Sequence, residues 1–158
     1  MPYWKGTTWS FEGHSNTPNS GEIACGYFVS TTLQHVGLNL NRYDLAKKSP
    51  LDEARFLKMN DSIVTFQNDS LELIISQLYA KTELGIYFLG FESSHVGFLY
   101  RTKNNLWVIH SDPSFADGPK IEAIESSDYI SYFRTFHIVP ISRNKKLMHH
   151  WMHSTEIK

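Results

Sequence analysis

Downstream of Gly85 the chain changes texture, and that change restricts the possible folds more than any other feature. "GIYFLGF", "SHVGFLYRT", "LWVIHSD" and "YFRTFHIVPI" are short runs rich in aromatic and β-branched residues, bounded by Gly, Asn, Pro and Ser, as strands are. Upstream the periodicity is helical. Val29, Leu33 and Val36 recur at helical spacing and Gly37 supplies a stop, which predicts a helix with Cys25 in its first turn. "SPLDEARFLK" offers Ser49 as N-cap, Pro50 at the first helical position and Asp52 in the first turn. "DSLELIISQLYA" sets Asp69 and Glu72 at capping-box spacing ahead of a stripe of Leu71, Ile74, Ile75, Leu78 and Tyr79. Helices first and an antiparallel sheet afterwards predict an α+β domain, with N-terminal helices packed on one face of the sheet.

A chain of 158 residues suits one domain with a real core. With no internal repeat or composition break, residues 1–143 read as a single domain and 144–158 as a C-terminal tail. Fifteen Lys and Arg against sixteen Asp and Glu give a net charge of −1, which excludes a strong draw for nucleic acid or anionic lipid. No apolar run reaches the ~18 residues of a membrane span, so none is expected. "MPYWKGTTWS" has no apolar signal core; export would require a leader already removed or another route.

The single cysteine poses the chemical question, because one thiol forms no internal disulfide. An unpaired Cys fills cores as a small hydrophobe. At a helix start it is also a candidate nucleophile, since backbone N–H groups there favour negative charge and pull the thiol below its ordinary pKa. Strand alternation adds two partners. In "SHVGFLYRT", His95, Gly97, Leu99 and Arg101 share a face; in "LWVIHSD", Leu106, Val108, His110 and Asp112 do. "KNN" between them signals a hairpin. A loop of even length puts positions 95, 110 and 112 on one side of the sheet, and pairing Arg101 with Leu106 sets Asp112 across from His95 and His110 on a diagonal. A Cys at a helix start, a His on a strand and a polar group on the next strand are the parts of an activated-thiol site.

"GEIACGYFV" opening a helix, then "SHVGFLY", then "WVIHSD", in that order, resembles the papain-like amidase fold and in particular the NlpC-type bacterial cell-wall cysteine peptidases. The likeness spans roughly residues 9 to 140 and rests on three short motifs. It implies Cys25 as nucleophile, His95 as base and His110 as the group that orients His95, with Asp112 a competitor for that third place. It also implies amide hydrolysis in a peptidoglycan stem peptide, no metal or organic cofactor, a peptide as the only partner, and a place in the cell envelope. Members commonly carry Asp before and Ser after the nucleophile; this chain has Ala24-Cys25-Gly26. Oxyanion stabilisation then falls to backbone N–H groups near Cys25, helped by a side chain such as Trp9 or Asn19.

Further features have two readings each. Trp4, Trp9 and Phe11 either line a substrate groove or pack over the Cys helix, and the second is the more ordinary fate of aromatics. His149 and His153 sit at i, i+4, yet no carboxylate or second Cys accompanies them, so a solvated tail is expected. Ser111 to Lys120 is a candidate rim of the site. Alternatives to the amidase are a papain-like acyltransferase or protein deamidase, and an inert binding module in which Cys25 is buried.

Overall fold

The computed structural model describes residues 2–92, 94–114 and 118–158. Three helices come first, α1 (Cys25–His35), α2 (Arg42–Ala46) and α3 (Pro50–Leu57), then β1 (Val64–Gln67) and α4 (Leu71–Lys81). The remainder is β2 (Gly85–Phe91), β3 (His95–Arg101), β4 (Leu106–His110), β5 (Lys120–Ala123), two 3-10 turns, β6 (Thr135–Pro140) and α5 (Lys145–Met152). The strands form one six-stranded sheet in the order β1-β6-β2-β3-β4-β5, every neighbouring pair antiparallel. The α+β class read from the sequence is the class observed.

The sheet is covered on both faces, not on one as expected. Phe88, Val96, Phe98 and Val139 join Phe28, Val29 and Leu33 of α1, Ala54 and Leu57 of α3 and Leu147 of α5 in one buried layer. Leu89, Phe91, Leu99, Val108, Phe136 and Ile138 pack on the other side with Ile74 and Leu78 of α4 and with Ile124 and Ile130. The reason lies in the strands themselves: consecutive apolar residues in "YFLGF" and "FHIV" leave neither face polar, so α4 crosses to the second face to cover it.

The helix ends follow local chemistry. Ser49 Oγ accepts the Asp52 N–H at 3.2 Å and Pro50 sits at the first position of α3. At α4 the cap is Ser70 rather than Asp69: its hydroxyl accepts the Leu73 N–H at 3.4 Å and donates to Glu72 at 2.6 Å. Ser70, not Asp69, stands three residues before a free N–H of the first turn. The strands β1 and β5 and the helix α2, four or five residues each, are too short to show a period in the sequence.

Residues 144–158 are not a solvated tail. Asn144, 1% exposed, accepts the Leu147 N–H at 3.0 Å and donates to the carbonyls of Leu57 and Lys58 at 3.3 and 3.0 Å, locking α5 to the end of α3. Leu147 and Ile157 are buried in the layer shared with α1. The His149 and His153 rings stack at 4.2 Å, with His153 Nδ1 2.9 Å from the His149 carbonyl. Among the described residues no helix is long and apolar enough to cross a membrane. Because its replacement strands two carbonyls and a helix cap together, Asn144→Ala should cost about 2 kcal/mol. Urea unfolding reads this as a lower midpoint at unchanged slope.

Candidate active site

The chain entering α1 is pinned on three sides. Ile23 N–H donates to Thr8 O at 2.8 Å, Ala24 N–H to Gly13 O at 2.9 Å, and the buried Ser111 Oγ to Ile23 O at 2.8 Å. That last bond ties the end of β4 to the start of the Cys helix. Ala24, the N-cap residue, makes no side-chain cap and the first turn holds no acid, so no side chain takes up the first N–H groups. Gly26 is required where it stands: a Cβ there would lie 2.7 Å from the Ala46 carbonyl oxygen. This close approach of α1 to α2 is a physical reason for Gly after the nucleophile candidate.

The hairpin register is Arg101 opposite Leu106 and Gly97 opposite His110. It holds only because residue 97 is glycine, since a Cβ would meet the Ile109 oxygen at 2.8 Å and the His110 Cβ at 2.9 Å. His110 therefore lies flat across Gly97 and reaches His95, with His95 Nε2 2.9 Å from His110 Nδ1. The other nitrogen, His110 Nε2, is 2.9 Å from Glu122 Oε1 on β5. Asp112, the competing third member, faces His110 instead of His95, with Oδ2 3.3 Å from His110 Nε2 and 3.1 Å from Lys120 Nζ.

A carboxylate only accepts, so the His110 Nε2 that faces Glu122 donates to it. His95 Nε2 is engaged with His110 Nδ1, and His95 Nδ1 is the ring nitrogen outside that bond. Burial alone would raise the Glu122 carboxyl, but hydrogen bonds from His110 and Ser127 and the charge of Lys120 bring it down to about 2. The chain is therefore anchored by a carboxylate at neutral pH. His110, Asp112 and Glu122 also place three ligand atoms within 4.8 Å of one another, the geometry of a metal site. Lys120 Nζ already supplies the positive charge there, 3.1 Å from Asp112 and 3.3 Å from Glu122.

His95 is 2% exposed and enclosed by aromatic rings: Phe91 at 5.4 Å, Tyr129 at 4.9 Å and Phe133 at 6.0 Å. Burial, followed by the neighbouring His110, pushes its pKa down to about 3. Cys25 moves the other way. Burial raises its pKa, against the pull of the backbone N–H groups of Val96, Gly26 and Cys25, and Glu53 raises it further. The expectation that the helix start pulls the thiol below its ordinary pKa is thus corrected. Desolvation exceeds the helix-terminus effect, and the pair rests as neutral thiol and neutral imidazole.

Cys25 and His95 open onto one cavity of about 450 Å³, lined also by Trp9, Phe11, Tyr27, Glu53 and Tyr129. The aromatics of the N-terminal loop divide. Trp4 is fully buried over α1, its Nε1 donating to Thr32 Oγ1 at 3.0 Å, whereas Trp9 and Phe11 face the cavity. Asn19 is not among its lining residues and is exposed with φ of 64°, so it does not serve as the oxyanion side chain. Trp9, which lines the cavity, and the N–H groups of Cys25 and Gly26 remain the candidates for that task. Of the rim, Pro113 lines the cavity, and residues 115–117 lie outside the described residues. Glu122, Tyr129 and Glu53 were missed by sequence reading; only the alternation of Lys120 and Glu122 in "KIEA" hints at a shared polar face. A scan against protein-family models finds no match to this chain, and a search of curated proteins finds none either.

Two outcomes follow from the charge states. Since the folded His95 has a pKa near 3 against an ordinary 6.5, the unfolded chain takes up a proton that the folded chain refuses as pH falls through that window. Stability should therefore drop as pH falls from 6.5 toward 3, and His95→Gln should flatten the slope in urea midpoints measured against pH. Iodoacetamide labelling of Cys25 should rise only above the ordinary thiol range of ~8.5; labelling already complete at pH 7 would restore a thiol held below its ordinary pKa.

Proposed function

We propose that the protein is a cysteine amidase of papain-like fold, hydrolysing an amide bond through Cys25. The observation that carries this reading is the chain Glu122–His110–His95, whose last member lines the same cavity as Cys25. An inert Cys has no need of an imidazole held in place from two residues away.

In the mechanism, Cys25 Sγ attacks the carbonyl carbon while its proton passes to His95 Nδ1. A neutral pair makes that transfer part of the attack, so no thiolate has to persist in the apolar cavity. The N–H groups of Cys25 and Gly26 receive the oxyanion. His110, polarised by Glu122, stabilises the imidazolium as it forms, in the role a carboxylate plays in serine hydrolases. The imidazolium gives its proton to the leaving amine as the C–N bond breaks. Water then attacks the thioester, His95 takes the water's proton, and acid and free thiol are released.

The substrate class we propose, a peptidoglycan stem peptide, is supported by the likeness of "ACGYFV", "SHVGFLY" and "WVIHSD" to NlpC-type wall peptidases. Cleavage of a D-residue-containing stem peptide, its all-L counterpart and unfolded casein tests it: faster cleavage of the first is expected, and preference for casein would remove the wall reading. Cys25→Ala should lower kcat/KM by at least about 10⁴-fold. Glu122→Gln, which loosens the chain without touching substrate, should lower kcat by about 10- to 100-fold at little change in KM.

A further inference from the structure

The cavity holds an acid that the mechanism above does not use. Glu53 lies in the first turn of α3, its N–H bonded to Ser49 O at 2.8 Å, and its side chain lines the cavity beside Cys25. It is 1% exposed, and Oε2 has no hydrogen-bond partner among the described residues. Among the described lining residues Lys48 is the only cation; it is exposed, with Nζ 6.0 Å from the Phe56 ring centre. A buried carboxyl oxygen left without a donor costs stability that a structural role does not return.

We propose that Glu53 is the recognition group for a substrate ammonium, so that the cavity takes peptides bearing a free amino group close to the bond that Cys25 attacks. This inference rests on the cysteine amidase reading and names the substrate feature it selects.

The chemistry of the cavity supports an ammonium over a neutral donor. Glu53 is the only Asp or Glu among the described lining residues; Cys25, His95 and Tyr129 on the same cavity are uncharged at neutral pH, and Lys48 at its exposed edge is the one cation acting on Glu53. Burial pushes the empty Glu53 carboxyl well above the usual carboxylate range, against the pull of Lys48. An arriving ammonium reverses the balance: the acid releases its proton to solvent, and the ion pair forms with charge-assisted hydrogen bonds in place of an orphaned oxygen. Trp9, Phe11 and Tyr27 line the same cavity, and an aromatic ring attracts a cation placed over its face. The pairing protects the nucleophile as well. An ionised Glu53 standing alone disfavours a negative sulfur, while a Glu53–ammonium pair presents no net charge to it.

The test uses one D-residue-containing stem peptide with a free amino terminus and its N-acetylated twin. Calorimetry with the Cys25→Ala protein measures binding without turnover; the free form should bind at least about tenfold more tightly. Glu53→Gln in the same background should bring the two forms to within about threefold of each other, and Glu53→Asp should restore part of the difference. Equal binding of both forms, binding of neither, or a preference that survives in the folded Glu53→Gln protein overturns the proposal. Should Glu53→Gln fail to fold, the comparison of free and acetylated peptide on Cys25→Ala decides alone. Hydrolysis assays on the intact protein separate the two levels of argument. Cleavage without preference for the free amine removes this inference and leaves the amidase, whereas amine-selective binding with no hydrolysis keeps the recognition site and removes the amidase.

Discussion

The register between β3 and β4 is the constraint on which the rest of the site depends. Gly97 opposite His110 puts two imidazoles 2.9 Å apart on one face of the sheet, while Val96 and Phe98, on the other face, hold the Cys helix against the same strand. A slip of one residue would exchange these faces along the whole hairpin, sending His110 toward α1 and the apolar residues of β4 toward its place. Both faces are buried, so the slip has no solvent-exposed alternative to fall into. The register is fixed by packing on two sides, and the steric demand at Gly97 reinforces it, because only a residue without Cβ lets His110 lie across the strand.

Placed this way, the two histidines and Glu122 act as one unit whose charge resides at the far end. The carboxylate is partly exposed and partnered by Lys120, Ser127 and His110, so ionisation costs it little. His95, by contrast, sits among Phe91, Tyr129 and Phe133, where a positive charge is expensive. The carboxylate reaches the buried imidazole of His95 through two hydrogen bonds. Desolvation favours a neutral thiol and a neutral imidazole together; in the mechanism proposed above, their charge separation is deferred until a carbonyl is present to receive the sulfur.

The parts of this arrangement that follow from period and end chemistry were legible in the sequence. Four strands, the start of the Cys helix, Ser49 and Pro50 at α3, the pairing of Arg101 with Leu106 and the common face of His95 and His110 all come from alternation, capping preference and hairpin geometry. What was not legible depends on the third dimension. The pKa directions of Cys25 and His95 turn on burial that only the folded chain supplies, for His95 by Phe133 and Tyr129 far away in the chain, so a helix-terminus argument alone gave the wrong sign for the thiol. Glu122 comes from a four-residue strand with no visible period, and it makes the hydrogen bond to His110 at 2.9 Å, while Asp112 stands further off at 3.3 Å. The coverage of the second sheet face by α4 and the docking of α5 through Asn144 are likewise decided by long-range contacts.

Glu53 shows how a local signal conceals a role in the site. In the sequence it is an ordinary first-turn acid, three residues inside a capped helix, where negative charge complements the helix dipole and needs no other explanation. Asp52, its neighbour, behaves that way: it is exposed, bonded to Ser49 and paired with Arg55 at 2.7 Å. Glu53 is one position further round the helix, about 100° away, and that rotation turns it from solvent into the cavity. The dipole contributes a few tenths of a kcal/mol to 1 kcal/mol at a surface, roughly, whereas burying an unpartnered carboxyl costs more than that. The helix cap therefore accounts for Asp52 and leaves Glu53 with a net cost. Together with Ala24 in place of an acid before Cys25, this puts the one carboxyl among the described lining residues of the cavity on α3, outside the Cys helix.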